Sequence, residues 1–159
     1  MVNAWALPGG KCGVYNGLLP VTENEDALAI VMAHEVAHVI ARHGAERSSQ
    51  AMASSVVAGI AMSEMNKRDQ MIVLGAYGLG VALPFSRTQE TEADQIGLYI
   101  AADAGYDPRE AIPLWQRMGK AGKKAPAEFL STHPTSETRI KQLRGWMPKA
   151  MRLYRATQR

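Results

Sequence analysis

Two histidines four residues apart, His34 and His38, stand in an apolar stretch with Glu35 directly after the first of them. Residues 27–40 contain neither proline nor glycine and are rich in alanine and aliphatic residues, which predicts a helix. Positions four apart share one helix face, so both imidazoles can bind a single metal ion. Glu35 stands beside that pair, where it can act as general base on a water molecule. The spacing is the H-E-x-x-H arrangement of zinc peptidases.

An ordinary helix with two buried histidines and an acid is the alternative interpretation of these residues. A buried Glu35 without a partner would be costly in free energy. In addition, three of the four histidines, His34, His38 and His43, fall within ten residues of one another. We therefore expect one Zn²⁺ ion per chain at this site.

A catalytic zinc site needs a third protein ligand and one open position. His43 follows His34 by nine residues, which on one continuous helix puts it about 180° around the axis. We therefore interpret His43 as a surface or capping histidine that points away from the ion. The third ligand is then expected from another helix.

A later predicted helix supplies Glu90 and Asp94, again four residues apart on one face. One carboxylate can bind the zinc ion while the other accepts a hydrogen bond from a ligating histidine and fixes its orientation. Spacing alone favours Glu90 only slightly over Asp94 as the ligand, and a solvated acidic helix face is the alternative. Glu92 lies about 200° around the axis from Glu90 and is expected to face solvent.

Residues 34–38, 86–94 and 131–134 together resemble the motifs of zinc metallopeptidase family forty-eight, which includes the HtpX heat-shock, CAAX prenyl and mitochondrial stress proteases. The segments 3–10 and 14–19 also resemble its soluble, envelope-type branch, so the similarity covers nearly the whole chain. The resemblance implies Glu90 as the zinc ligand and Asp94 as the residue behind a ligating histidine. It also implies a gluzincin-type catalytic domain, which is mainly α (an α+β fold) with a small β-hairpin beside the active-site helix.

His133 lies in the last of these motifs, at a position where the family pattern also has a histidine. The resemblance implies a loop that can approach the metal, and two functional roles stay open. His133 either donates a hydrogen bond to the oxyanion of the tetrahedral intermediate or acts as a removable fourth ligand. The alternative is a structural residue just before the next helix.

A single domain is expected over 1–159, with a β-hairpin over 2–19 and a helical body over 22–159. The hairpin is predicted as a strand over 2–7, a turn over 8–10 and a strand over 11–19. The first helix is expected to begin with a capping box of Thr22 and Glu25 and to end near His43. Further helices are predicted over 45–65, 70–83, 86–105, 108–120, 127–130 and 136–146, with a last one after Pro148.

Asn3, Ala4 and Trp5 belong to the first predicted strand. We expect this strand to form the edge along which a polypeptide substrate lies, backbone to backbone, as an added strand. An ordinary hairpin strand without this role is the alternative.

The charge of the chain is uneven. Residues 1–100 carry 6 Lys and Arg against 10 Asp and Glu, whereas residues 101–159 carry 12 against 5. A solvated helix face is the first interpretation of the basic C-terminal stretch, and peripheral contact with an anionic membrane is the functional one. No nucleic-acid recognition motif accompanies the charge, so nucleic acid is not expected as a partner. The stretch comprises Arg139, Lys141, Arg144, Lys149, Arg152, Arg155 and Arg159.

No membrane span or signal peptide is expected in the residues given, because the uncharged stretches are short or broken by glycine and proline. Members of the resembled family normally have more chain before the hairpin. We therefore expect a trimmed catalytic core or a minimal member, in which newly exposed apolar surface would favour self-association. The resemblance implies a bacterial envelope or periplasmic location, with membrane association in the full-length protein.

The sequence therefore predicts a zinc-dependent metalloendopeptidase that hydrolyses peptide bonds with a zinc-activated water and Glu35 as general base. The resemblance adds a role in proteolytic quality control of envelope or membrane-associated proteins. The rival hypothesis is a chaperone-like module that carries zinc and binds peptides with little turnover.

Overall fold

Helices make up most of the chain, and one short antiparallel hairpin stands at its start. The structure, a computed structural model, describes residues 1–63, 66–67, 86–124, 129, 133 and 137–158. The predicted fold class, mainly α with a small β-hairpin, is confirmed. The helices predicted over 70–83 and 127–130 lie outside the described residues, apart from Phe129.

The hairpin pairs β1 (Ala4–Leu7) with β2 (Lys11–Val14) in an antiparallel register that sets Ala4 opposite Val14. Its turn needs two consecutive residues with positive φ, 93° and 82°, and glycine supplies both as Gly9 and Gly10. The backbone N–H of Gly10 donates to the Leu7 carbonyl at 3.2 Å, which closes the turn.

The predicted second strand is too long, because the chain leaves the sheet after Val14. Residues Asn16–Leu18 form a 3₁₀ turn, and α1 (Leu19–Thr22) follows directly. Pro20 lies in the first turn of α1, where its missing N–H is not needed.

The central helix α2 (Glu25–Ile40) begins later and ends earlier than predicted. Asn24 is its N-cap and accepts a hydrogen bond from the Ala27 N–H at 2.8 Å. The predicted capping box at Thr22 is wrong: the Thr22 hydroxyl donates to the carbonyl of Leu19 within α1. At the other end, Arg42 adopts a left-handed φ of 57°, so α3 (His43–Ser63) starts in a new direction.

The three later helices follow the predicted order with shifted ends. The helix α4 (Arg87–Asp103) begins at a capping box of Ser86 and Gln89, which agrees with the predicted start at 86. A 3₁₀ turn (Pro108–Glu110), capped by Asp107, precedes α5 (Ala111–Lys124). The helix predicted over 108–120 therefore begins as a 3₁₀ turn and extends beyond its predicted end.

The last helix, α6 (Glu137–Thr157), is continuous through Pro148, so the predicted break there is wrong. Proline removes one backbone donor, but it does not force the helix to end. Leu143 before it and Ala150 after it lie on one buried face, and their burial holds the two halves together.

Helix α2 packs against α4 and β1, and α4 packs against α6. The backbones of α2 and α4 come so close at Gly97 that a Cβ there would lie 2.8 Å from the backbone nitrogen of His34. Glycine at this crossing brings the carboxylates one and two turns earlier in α4 within reach of the α2 histidines. Among the described residues, no helix has the length and apolar character needed to cross a membrane.

Candidate metal centre

The predicted histidine pair lies on the buried face of α2. His34 and His38 are 2% and 4% exposed, and their Nε2 atoms are 3.1 Å apart. The two histidines therefore share one face of α2, as their spacing of four residues predicts.

The two carboxylates of α4 approach this pair from opposite sides. Glu90 Oε1 lies 3.3 Å from His38 Nε2, and Glu90 Oε2 lies 3.6 Å from His34 Nε2. Asp94 Oδ1 lies instead 3.0 Å from His34 Nδ1, on the other side of that ring. Glu90 thus shares the Nε2 side with both histidines, while Asp94 contacts the far nitrogen of one of them.

His133 completes this group. Its Nδ1 lies 2.8 Å from Glu90 Oε1 and 3.2 Å from His34 Nε2. The backbone N–H of His133 donates to the Phe129 carbonyl at 2.8 Å, and the two rings stack with centroids 4.5 Å apart. One ligand atom from each of His34, His38, Glu90 and His133 lies within 4.8 Å of the other three, and all four residues are buried.

This donor set suits a cation. The Asp94 carboxylate next to His34 Nδ1 favours a proton on that nitrogen, which would leave a lone pair on Nε2, although the contact lacks hydrogen-bond geometry. Burial lowers the pKa of His38 to about 4, although the nearby Glu90 carboxylate acts in the opposite direction. Neutral nitrogens and a carboxylate oxygen that converge on one point repel each other unless a cation lies between them.

Glu35 borders the group without joining it. Its Oε1 has no hydrogen-bond partner among the described residues and lies 3.4 Å from His133 Nε2. Burial raises the pKa of Glu35 to about 7; His34 opposes this shift and Glu90 adds to it. A carboxyl group with a pKa near neutrality can both accept and release a proton at physiological pH.

Arg139 is the residue that the sequence interpretation misplaced most. It was predicted on a solvated basic face, but it is 3% exposed and binds both carboxylates of α4. Its Nη2 donates to Glu90 Oε2 at 2.6 Å and to Asp94 Oδ1 at 3.0 Å, and its Nε donates to Asp94 Oδ2. The guanidinium also lies 3.6 Å from the centroid of the Trp115 ring.

The neighbours of the two α4 carboxylates keep them ionised. Burial alone would raise the pKa of Asp94, but Arg139 and His34 hold it below its ordinary value. For Glu90, too, burial is outweighed, here by the neighbouring imidazoles of His133, His38 and His34, so its pKa is lowered. A signal was present in the sequence: Arg139 stands four residues before Leu143, on the buried stripe of α6.

His43 is the second residue that the sequence interpretation misplaced. It was predicted at the surface but is 2% exposed, and its Nδ1 lies 2.9 Å from His38 Nδ1. The prediction failed because it extended one helix from His34 to His43, whereas α2 ends at Ile40. Glu92 is largely exposed, as expected, and one of its oxygens lies 3.3 Å from His43 Nε2.

The predicted edge strand lies beside α2. Asn3 accepts a hydrogen bond from the Tyr15 N–H at 3.0 Å, so by alternation Ala4 and Ala6 direct their backbone groups away from β2. In the part of the chain that the structure describes, no third strand pairs with that edge. The Ala4 side chain is buried, and the half-exposed Trp5 ring lies over Gly13.

Comparison with known proteins agrees with this geometry. The family model described as Peptidase family M48 matches residues 1–147. The chain is 43% identical over 152 residues to the mitochondrial metalloendopeptidase OMA1 of Schizosaccharomyces pombe, covering 93% of this chain and 44% of that protein. It is 30% identical over 166 residues to the human metalloendopeptidase OMA1, covering 96% and 32%. It is 29% identical over 154 residues to the beta-barrel assembly-enhancing protease of Escherichia coli, covering 90% and 32%. The chain therefore spans less than half the length of each of these relatives.

Proposed function

The chain belongs to Peptidase family M48, and from this premise we propose that it is a zinc-dependent metalloendopeptidase in which His34, His38 and Glu90 hold the metal ion. The observation that carries the proposal is the buried group of two imidazoles and a carboxylate with Glu35 directly beside it. The names of the relatives, which are metalloendopeptidases and a protease, support the same activity.

Zinc is the metal proposed for this site, because imidazole nitrogens and a carboxylate oxygen are ligands that catalytic zinc takes. Ligand atoms about 2.0–2.1 Å from a tetrahedral zinc ion are separated from one another by about 3.3 Å. The contacts of His38 Nε2 with His34 Nε2 and Glu90 Oε1 are 3.1 and 3.3 Å, and His34 Nε2 lies 3.2 Å from His133 Nδ1. When bound, zinc supplies a Lewis acid that lowers the pKa of a water molecule and polarises the substrate carbonyl.

The remaining chemistry belongs to this chain's own residues. Glu35 Oε1 accepts the proton of the attacking water and then delivers it to the leaving amine. Asp94 keeps the proton of His34 on Nδ1, and so keeps Nε2 available as a ligand atom. Arg139 binds Glu90 Oε2 and leaves Oε1 turned towards the histidines.

We propose that the substrate is a polypeptide bound as an extended strand along the free edge of β1. The outward backbone groups of Ala6 support this proposal, because they provide a main-chain donor and acceptor that an added strand needs. The N–H of the buried Ala4 already donates to Asn3 Oδ1 at 2.9 Å. Asn3 and Trp5 flank this edge and would contact the neighbouring substrate residues.

A membrane surface is the partner proposed for α6. Lys141, Arg144, Arg152 and Arg155 are exposed and lie within one third of the circumference of this helix. Such a stripe suits peripheral contact with anionic lipid. With relatives named for mitochondria and for beta-barrel assembly, we propose quality control of envelope or membrane-associated proteins. Self-association of the chain stays a prediction.

The proposed activity is tested first by metal content and cleavage. We expect the purified chain to bind about one zinc ion and to cleave an unfolded probe such as labelled casein. A chelator should abolish cleavage and added zinc restore it. Replacing Glu90 by alanine should reduce zinc content well below that of the parent chain, because a ligand atom is lost.

Glu137→Ala, which removes an exposed glutamate at the start of α6, serves as the control and should keep the full zinc content. Absence of zinc from the parent chain after reconstitution would contradict the proposal. Zinc binding that is identical in Glu90→Ala would instead contradict the ligand assignment.

His133 favours a second candidate function, a module that binds peptides with little turnover. Its Nδ1 lies as close to Glu90 and His34 as a fourth ligand would, and a four-ligand site has no open position. We propose that His133 is this removable ligand, and that its departure opens the position needed for cleavage.

Replacing His133 by alanine separates its two possible roles. For a removable ligand we expect weaker zinc binding, by about tenfold, with an undiminished cleavage rate per zinc-loaded chain. For an oxyanion donor the rate itself would fall about 10²–10³-fold at unchanged zinc affinity. Competition with a chelator and initial rates at saturating zinc measure the two quantities.

A further inference from the structure

A chain of three side chains leads from the metal centre to the surface. His38 Nδ1, on the opposite side of the ring from the ligand atom Nε2, lies 2.9 Å from His43 Nδ1. His43 Nε2 in turn lies 3.3 Å from Glu92 Oε2. The two histidines are buried, whereas the Glu92 side chain is 54% exposed.

The direction of the hydrogen bonds follows from the end of this chain. A carboxylate only accepts, so the Glu92 contact requires the proton of neutral His43 to sit on Nε2. His43 Nδ1 then carries a lone pair and can only accept. The partner atom, His38 Nδ1, must be the donor, which leaves the lone pair of His38 on Nε2.

We propose that His43 is a positioning residue for the metal centre and that Glu92 fixes the tautomer through which it acts. His43 holds the proton of His38 on Nδ1, so that His38 Nε2 faces Glu90 and His34 as a ligand. The inference deepens the proposed function and rests on it. It assigns to His38 the same support that Asp94 gives to His34, here through an imidazole in place of a carboxylate.

The backbone explains why a residue so close in sequence can do this. Arg42 has a left-handed φ of 57° and its N–H donates to the Val39 carbonyl, which turns the chain back after α2. His43, the first residue of α3, is thereby directed towards the Nδ1 side of the His38 ring. The two rings meet edge to face, with centroids 5.0 Å apart.

The first test compares two replacements of His43. His43→Phe keeps an aromatic ring but has no acceptor, and we expect its zinc affinity to fall about 10–100-fold. His43→Asn offers an amide oxygen near the place of Nδ1 and should recover most of that loss. Competition with a chelator gives the affinities, and thermal unfolding of the metal-free chains shows whether either variant fails to fold.

The second test uses Glu92, which is exposed and so removes the risk of misfolding. Glu92→Ala deletes the acceptor for His43 Nε2 and should weaken zinc binding. Glu92→Gln also loses the charge but keeps an acceptor oxygen, and it should bind zinc nearly as the parent chain does. Equal weakening in both variants would point to the charge alone and overturn the tautomer role of Glu92.

A spectroscopic signature distinguishes positioning from packing. Nitrogen-15 chemical shifts of the His38 ring should report a protonated Nδ1 in the parent chain and a mixture of tautomers in His43→Phe. If the parent chain and His43→Phe bind zinc equally well, this inference is overturned and the proposed function stays intact. If the parent chain binds no zinc, both this inference and the proposed function are wrong.

Discussion

Replacing Glu35 by glutamine is expected to lower the rate of peptide-bond hydrolysis by about 10²–10⁴-fold. Glutamine has nearly the same shape but cannot take a proton from water at neutral pH. The zinc content should stay that of the parent chain, since Glu35 lies beside the ligand atoms and not among them. Initial rates with labelled casein and elemental analysis of the same samples measure both quantities.

The stability of the Glu35→Gln chain provides an independent check. Glu35 is buried with one oxygen unpartnered, and burial raises its pKa, so the ionised form is unfavourable in the folded state. A neutral amide should therefore leave the unfolding midpoint unchanged or raise it. Glu25→Gln, at the exposed start of α2, is the matched control and should retain full activity. Full activity in zinc-loaded Glu35→Gln would reject Glu35 as the general base.

The faces of single helices could be predicted well from the sequence. His34 and His38 share one buried face of α2, and Glu90 and Asp94 share one buried face of α4. This works because the helical period is a local property that depends only on spacing. The distances between the two faces are tertiary, and the close approach at Gly97 that sets them has no signature in a single sequence.

The ends of helices were harder to predict, and His43 shows the consequence. The sequence offers Gly44 as a stop signal, but the left-handed residue is Arg42, a conformation that costs a non-glycine residue free energy. Because the predicted end of α2 was three residues too late, His43 was predicted at the surface and not beside His38. Helix termini depend on such turns, which makes their positions the least predictable part of a helix.

Arg139 was misplaced for a different reason. The basic residues of α6 were interpreted together as one exposed face, and Arg144 and its basic neighbours are exposed. Arg139 instead occupies a buried position because Glu90 and Asp94 leave two carboxylates in the interior that need a cation. Only the pairing of α4 with α6 makes that need visible.

Replacing Arg139 by methionine is therefore expected to destabilise the metal-free chain by about 3–5 kcal/mol. Methionine fills most of the same volume, but it leaves Glu90 and Asp94 buried without their shared partner. The loss also removes the contact with the Trp115 ring. Urea unfolding of the metal-free chain, followed by circular dichroism, measures the change in the free energy of unfolding.

Two further variants separate the ion-pair network from general effects of losing an arginine. Arg144→Met makes the same chemical change at an exposed position of α6 and should alter stability by less than about 0.5 kcal/mol. Adding Asp94→Asn to Arg139→Met removes one of the stranded charges, so the double variant should be more stable than Arg139→Met alone. If Arg139→Met and Arg144→Met had the same small effect, the buried network would contribute little to the fold. The orientation of Glu90, with Oε1 towards the histidines, would then have to be explained by a contact other than the hydrogen bond from Arg139 to Oε2.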